Sequence, residues 1–429
     1  MLKPLKNIKS TNRNTSIKRR RIFVGLSGGV DSAVSAALLK EQGYDVTGVF
    51  IKVWQPLDEA RGKPFLPCSW REERRDAMRV ALVLDIPFVF LDFSEEYKKG
   101  VADYMINEYR VGRTPNPDVL CNREVKFGAF WREAEKRGAD FIATGHYAQV
   151  VSQNLSSEKS SDTPMGHGQT FLQKGSASLL TTNYKLQTGA DGSKDQSYFL
   201  WTLTQEDLSH TLFPIGHLEK SKVRRLAKKF NLPVAEKKDS QGICFIGEVE
   251  IEEFLSHYID TKTGDVLNLE GEVIGTHRGA LLYTLGERHG FEVKKKKPED
   301  GAYYVVGKNM ENNTITVSNK TQEIEGMSPK KIIISNINWV RKPEGENLEA
   351  QIRYRGEKLP VNLSSQDFYL EKSSDIPTEH GQTFLHKNPA PFTVVEFEKP
   401  VRGLSLGQSI VFYSGEECLG GAVMEFVVE

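Results

Sequence analysis

The stretch RIFVGLSGGVDSAVSAALLKEQGY, residues 21–44, sets the fold. RIFVGL is a continuous apolar run of the kind a buried strand uses. DSAVSAALLKEQGY follows with helical periodicity and closes near Gly43. Between them Ser27, Gly28 and Gly29 make a tight turn where bare backbone can approach a phosphate. The helix that follows would aim its unpaired N–H groups and the positive end of its dipole at the same place. Asp31 is placed to meet a Mg²⁺ carried by phosphates, and Ser32 offers a hydroxyl. The turn is neither a Walker A loop, having no GK[ST], nor G-x-G-x-x-G.

Outward from this turn the chain alternates. DVTGVFIKVW reads as a strand, roughly 69–85 as a long helix, and PFVFLDF as another buried strand. EYKKGVADYMINEYRVG and VKFGAFWREAEKRG read as helices, and ADFIATGHY as a strand running into a loop. Strands alternating with helices predict an α/β fold with a doubly wound parallel sheet and ligands at the strands' carboxyl ends. Beyond about residue 205 the pattern changes. EKSKVRRLAKKFN is a basic helix stopped by Asn231 and Pro233. After residue 260 short strands with Gly and Asn turns dominate, which predicts a small linking domain and then a β-barrel. The expected division is a basic flexible tail at 1–20, a Rossmann-like nucleotide-binding catalytic domain at 21–235, a small central domain at 236–328 and a C-terminal β-barrel at 329–429.

Composition sets outer limits. The 429 residues exceed one ordinary core. With 38% hydrophobic and 27% charged residues they have the make-up of a soluble globular chain. No apolar run approaches the roughly 20 residues of a membrane span. Four cysteines are too few for a disulfide scaffold, so a reducing, cytoplasmic setting is expected. None is paired at the short spacing of a zinc or iron–sulfur site, so no metal site of the protein's own is expected. Lysine plus arginine equals aspartate plus glutamate at 57 each, leaving no overall nucleic-acid footprint. Basic charge is local instead, in residues 1–21, in SKVRRLAKKF and in KKKK at 294–297. The acid-free tail lacks the amphipathic apolar stripe of a transit peptide.

SSDTPMGHGQTFLQK (160–174) nearly recurs as SSDIPTEHGQTFLHK (373–387). One reading makes the pair a duplicated ligand loop using His167 and His380. The simpler reading, preferred here, is an element inserted into two surface loops near 155–190 and 370–390, where added length costs little.

Further strings narrow the phosphate turn. GRTPNPDVLCNREVKFG, ATGHYA, KDQSYFLWTL, KKDSQGICFIGE and LGERHG follow in order, then IRYR, LGQSIVFY and ECLGGA. The turn resembles the SGGxDS motif of the PP-loop ATP pyrophosphatases, and the ordered set resembles the tRNA-specific 2-thiouridylases over nearly the whole chain. The basic tail, the two inserts and the long QPLDEARGKPFLPCSW segment depart from that pattern. The resemblance implies a PP-loop catalytic domain in which ATP, with Mg²⁺, adenylates the 2-carbonyl oxygen of a tRNA wobble uridine. A persulfide sulfur, delivered by a donor protein, then attacks carbon 2. It places ATP at Gly25, Leu26, Ser27, Gly28, Gly29, Val30, Asp31 and Ser32, with Ile51 and Gly145 at the adenosine. Asn116, Pro117 and Asp118 would meet the target base near Cys121. His146, Lys194, Asp195, Gln196, Arg353, Tyr354 and Gln408 would contact tRNA. The thiol of Cys244 would carry the persulfide, and Cys121 and Cys244 would end as a transient disulfide.

From the residues alone Cys244, in DSQGICFIG, could be a small core residue or a reagent. Lys237 and Lys238 before it, and Arg123 and Lys126 after Cys121 near a predicted helix start, are surroundings that lower a thiol's pKa. Cys68 and Cys418 are taken as structural. Two other readings share the turn: a PP-loop enzyme adenylating a small molecule, and a non-catalytic RNA-binding protein that keeps nucleotide.

Overall fold

Side chains of β1 (Arg21–Gly25) alternate between two cores: Ile22 and Val24 enter one, Phe23 the other. The computed structural model describes residues 19–58, 63–64, 70–154, 182–239, 251–294, 301–320, 328–345, 347–366 and 392–428. Four strands join β1 in a parallel sheet ordered Phe88–Asp92, β2 (Asp45–Lys52), β1, Phe141–Ala143, Thr211–Leu212. On one face lie α1 (Val30–Glu41), α2 (Trp70–Val83) and the helix Lys220–Lys229. The other face is covered by the helical stretches 94–110 and 117–136. The predicted doubly wound sheet is the one observed. Its order reverses between β1 and Phe141–Ala143, and the crevice at a reversal, outside the strands' carboxyl ends, is where such sheets hold ligands.

The central region is a five-stranded sheet ordered Phe291–Val293, Val273–His277, Gly264–Leu267, Thr314–Ser318, Tyr304–Asn309. It curls over Val266, Tyr283, Val305, Ile315 and Val317. The C-terminal barrel runs Lys331–Trp339, Phe392–Phe397, Leu359–Gln366, Glu349–Gln351, Ser409–Ser414, Glu417–Val428 and closes by pairing its first and last strands. A hairpin from the N-terminal region, Ala148–Asn154 with Thr182–Thr188, attaches to this barrel through Leu186 and Gln187 opposite Cys418 and Glu417.

The strand Glu349–Gln351 ends before Arg353 and Tyr354, and the chain turns through Arg355, whose φ is +59°. Both copies of the HGQTFL repeat lie outside the described residues. If the repeat is an insertion, deleting either copy (160–174 or 373–387) is expected to leave activity within a few-fold of the intact chain. A loss of about a hundredfold with the fold retained, read by activity assay and circular dichroism, would make the repeat a ligand loop instead.

Candidate nucleotide and thiolation site

At the reversal, α1 begins without a side-chain cap: Gly29 is the N-cap residue and no side chain accepts from its first turn. With Gly at the N-cap, forgoing a side-chain cap costs only a few tenths of a kcal/mol. Burying a single Val or Leu contributes about 1.5–3 kcal/mol. Val30, Val34 and Leu39 are all buried, so packing holds the helix and its first N–H groups stay open to an anion. The turn is braced from within. Ser32 Oγ accepts from Ser27 N (3.1 Å), Ser27 Oγ accepts from Gly29 N (3.3 Å), and the two hydroxyls lie 3.2 Å apart.

Two glycines are required here by space. Gly28 has φ +73°, and a Cβ on it would meet Glu73 O of α2 at 2.4 Å. Gly145, just past Phe141–Ala143, brings bare backbone against α1, where a Cβ would lie 2.7 Å from Ser32 N. Gly25 and Leu26 lead from β1 into the turn, and Ile51 sits near the end of β2, half-buried.

Around the turn lies a cup of paired charges that the sequence reading missed. Lys220 Nζ donates to both oxygens of Asp31 (2.8 Å each) and lies 2.8 Å from Asp239. Tyr147 also donates to Asp31 (2.8 Å). Asp239 further accepts from Lys194 (2.8 Å) and Arg224 (2.6 Å). Lys237 donates to Gly28 O (3.1 Å) and Asp76 (2.8 Å). Burial works against the Asp239 carboxylate, but hydrogen bonds from Lys194 and Lys220 outweigh it and hold its pKa well below the usual range. Burial, then the Asp31 charge, pushes the Tyr147 phenol well above its ordinary value, so it remains a donor. Lys220 arrives because the helix it heads packs Val223 and Ala227 into the α1 core. That i, i+4 pair was visible in a segment otherwise read as a basic surface cluster.

The residues assigned to the base and to tRNA fall in several places. Asn116 caps the helix Pro117–Cys121, its Oδ1 accepting from Val119 N (3.4 Å), with Pro117 in the first turn. Oδ1 of Asp118 is buried without a hydrogen-bond partner, an orphan that a bound group could satisfy. Cys121 is 1% exposed. It sits where this helix passes into a π-helical segment, Asn122–Ala129, so the helix starts before it rather than after it. Arg123 does not face it as an unpaired charge, because it pairs with Glu124 (2.7 Å).

His146 is buried against Phe127 and Phe213, with Nδ1 2.7 Å from Thr144 Oγ1. Burial, and then Lys126, keep it neutral. Lys194 joins the cup, as described. Asp195 accepts from Gly189 N, Ser197 N and Ser197 Oγ, and Gln196 Oε1 accepts from Tyr147 N (3.0 Å). Both thereby brace the loop around Tyr147. Tyr354 packs on Phe199 (4.5 Å between rings), and Arg353 donates to Arg402 O (2.8 Å). Gln408 Nε2 donates to the carbonyls of Thr114 (2.9 Å) and Pro115 (3.1 Å).

Cys244 and Cys68 lie outside the described residues, and no Sγ–Sγ pair occurs among the described ones. Cys418 is buried, which pushes its thiol up to about 12 and suits a structural residue. Among the described residues no cluster of three or more His, Cys, Asp or Glu could hold a metal, and no helix is long and apolar enough to cross a membrane.

A parallel sheet with an uncapped glycine turn at its reversal, ringed by lysines, defines a PP-loop type of nucleotide-binding protein. Comparison with known proteins narrows this. Residues 20–248 match the model of the tRNA methyl transferase HUP domain, 252–319 that of the tRNA methyl transferase PRC-barrel domain, and 382–424 that of the aminomethyltransferase beta-barrel domain. The chain is 40% identical over 417 residues to the tRNA-specific 2-thiouridylase MnmA 2 of Geobacillus kaustophilus, spanning 96% of this chain and 97% of that protein. It is 40% identical over 410 residues to the tRNA-specific 2-thiouridylase MnmA of Lactococcus lactis subsp. cremoris, spanning 94% of each. A solved NMN synthetase from Francisella tularensis is 15% identical with a TM-score of 0.29, covering 52% of this chain and 66% of that one; so slight a likeness carries no argument. The chain belongs to the tRNA-specific 2-thiouridylase family.

Proposed function

We propose that the charged cup at the head of α1 is where this chain holds ATP during its family's reaction, the ATP-dependent conversion of a tRNA wobble uridine to 2-thiouridine. The observation that carries the reading is the uncapped helix N-terminus at the sheet reversal, with Lys220 and Lys237 beside it. The phosphates would take the open N–H groups of the first turn. Lys194, Lys220 and Lys237 would leave their carboxylate partners for them, because several phosphate charges outcompete one carboxylate. Asp31, freed from Lys220, would then hold Mg²⁺ together with the phosphates, since this ion accepts one or two protein carboxylates. The ion would neutralise charge on the departing pyrophosphate. Gly145 and Ile51 would flank the adenosine.

The helix Pro117–Cys121 would meet the base. Asp118, with its unpartnered buried oxygen, is the group to hold or move a proton at the uridine edge. After the 2-oxygen is adenylated, the outer sulfur of a Cys244 persulfide would attack carbon 2, and AMP would leave with the oxygen. Attack by the Cys121 thiolate on Cys244 Sγ would break the S–S bond. The thiocarbonyl is released as the two cysteines join, and an external dithiol reopens their disulfide. A donor protein would load the persulfide. The four cysteines without a disulfide framework suit the reducing cytoplasm in which such a cycle can be reset.

The test is nucleoside mass spectrometry of unmodified tRNA incubated with protein, ATP and a persulfide donor. It should show 2-thiouridine formed together with tRNA-dependent AMP. AMP formation without tRNA, and no thiouridine with it, would move the chain to a small-molecule adenylating role. Binding to tRNA should also be salt-sensitive. With roughly six to ten phosphate contacts, affinity falls by about a thousandfold or more between about 50 and 200 mM salt. A flat response in a filter-binding titration would rule out an interface that tracks the backbone.

A further inference from the structure

The loop that delivers Asn116, Pro117, Asp118 and Cys121 is held from outside its own domain. Arg113 lies between two carboxylates, Glu108 Oε2 at 2.7 Å in the preceding helix and Glu425 Oε2 at 2.5 Å in the last barrel strand. All three side chains are less than one-fifth exposed. Glu425 also accepts from Ser335 Oγ of the first barrel strand, so its second oxygen is engaged inside the barrel. One residue on, Thr114 N donates to Leu406 O (2.9 Å), and Thr114 Oγ1 lies 3.1 Å from Thr284 Oγ1 of the central region. Gln408 then donates through one amide nitrogen to the carbonyls of Thr114 and Pro115. Three successive residues are thus fastened to both other regions immediately before the N-cap.

We propose that Gln408, Arg113 and Glu425 are positioning residues for thiolation, through which the C-terminal barrel sets where the Asp118–Cys121 helix meets the base. The inference rests on the reading that this helix meets the target base. Its physical ground is the number of fixed bonds. Pro117–Cys121 opens a helical stretch that runs on to Lys136 and is packed in the core, so its axis is fixed. Its N-terminal end is not, because the cap contact there is long at 3.4 Å. The ties at 113–115 fix that end. Gln408 has both donor hydrogens directed at loop carbonyls, which leaves its carbonyl oxygen as its remaining polar group. A barrel shifted by about 1 Å carries Leu406, Gln408 and Glu425 with it, and displacements of that size at a reacting centre cost about a hundredfold in rate.

Gln408→Leu keeps the side chain's size and removes the donor. The expected result is a kcat for thiolation lowered by about ten- to a hundredfold, with ATP Kd unchanged and the thermal midpoint close to that of the parent. Constancy of tRNA Kd is tested on Arg113 and Glu425, which the resemblance does not assign to tRNA. A raised tRNA Kd with unchanged kcat would make Gln408 a direct tRNA contact and overturn the proposal, as would no change in either. Arg113→Lys and Glu425→Gln serve as a second pair. Each retains a hydrogen-bonding group, and each should lower kcat with tRNA Kd fixed. Unchanged kcat in both overturns the clamp. Asp118→Asn separates the underlying reading. If it thiolates normally, the base site is elsewhere. If it is inactive while Gln408→Leu is fully active, only the clamp fails.

Discussion

Replacing Cys244 or Cys121 by serine abolishes thiouridine formation while tRNA-dependent AMP release continues. On the proposed reading the two steps use different groups: adenylation uses the phosphate turn and Asp31, and sulfur delivery uses thiolates, which are the nucleophiles and carriers of sulfur. Cys121 raises a folding question that Cys244 does not, because it sits 1% exposed among Val119, Leu120 and Val125. Serine there buries a hydroxyl in place of a thiol, at a cost of up to about 1–3 kcal/mol. Retained AMP release reports that the fold survived. The same burial predicts that alkylation of Cys121, followed by peptide mass spectrometry, is slow in the free protein and faster once tRNA engages the helix. Full thiolation by Cys121→Ser with a persulfide-loaded donor would return Cys121 to core packing, and the same result for Cys244→Ser would remove Cys244 as the carrier.

Asp31→Ala and Asp31→Asn both lower pyrophosphate release by about a hundred- to a thousandfold, the range seen when one group stabilising transition-state charge is lost. Asparagine keeps an acceptor for Tyr147 but not the charge that balances Lys220 or would hold the metal. If hydrogen bonding alone mattered, Asn would be active and Ala not. Equal loss in both assigns the effect to charge. tRNA affinity should be unchanged, since Asp31 lies in the crevice rather than on an outer face. Pyrophosphate release at the parental rate in Asp31→Ala takes the residue out of the reaction.

How much of this was legible in the sequence follows the range of the interactions. The order of strands and helices to residue 143, the turn at Ser27–Ser32 and the stop at Asn231, where φ is +52°, are local consequences of periodicity and glycine placement. The charge cup is not local. Asp31, Tyr147, Lys220 and Asp239 come from four separate segments, and nothing in their spacing announces that they meet. The nearest clue was Val223 and Ala227, which give the basic helix an inner face and so place Lys220 over α1. Cys121 was expected near a helix start because VKFGAFWREAEKRG, from Val125 on, carries the helical pattern; Asn116 and Pro117, a cap followed by a first-turn proline, mark the true start about two turns earlier. The chain beyond residue 260 reads as short strands, yet Arg353 and Tyr354 lie in a turn, with Arg355 at φ +59° and its guanidinium 5.0 Å from the Tyr354 ring.

The hairpin Ala148–Asn154/Thr182–Thr188 makes the boundary between the nucleotide-binding half and the barrel a seam rather than a hinge. Leu186, Tyr198 and Trp201 share one apolar core with Val411, Tyr413 and Cys418. Across the seam Trp201 Nε1 donates to Ser409 Oγ (3.1 Å), and Asn338 donates to the carbonyls of Trp201 and Leu203. A fragment ending near residue 320 would carry the whole nucleotide turn yet expose an unpaired strand edge at Thr182–Thr188 and half of a core. The catalytic half is therefore not a portable module. A chimera that exchanges barrels between relatives must carry the hairpin and the 197–205 segment with the barrel it was matched to.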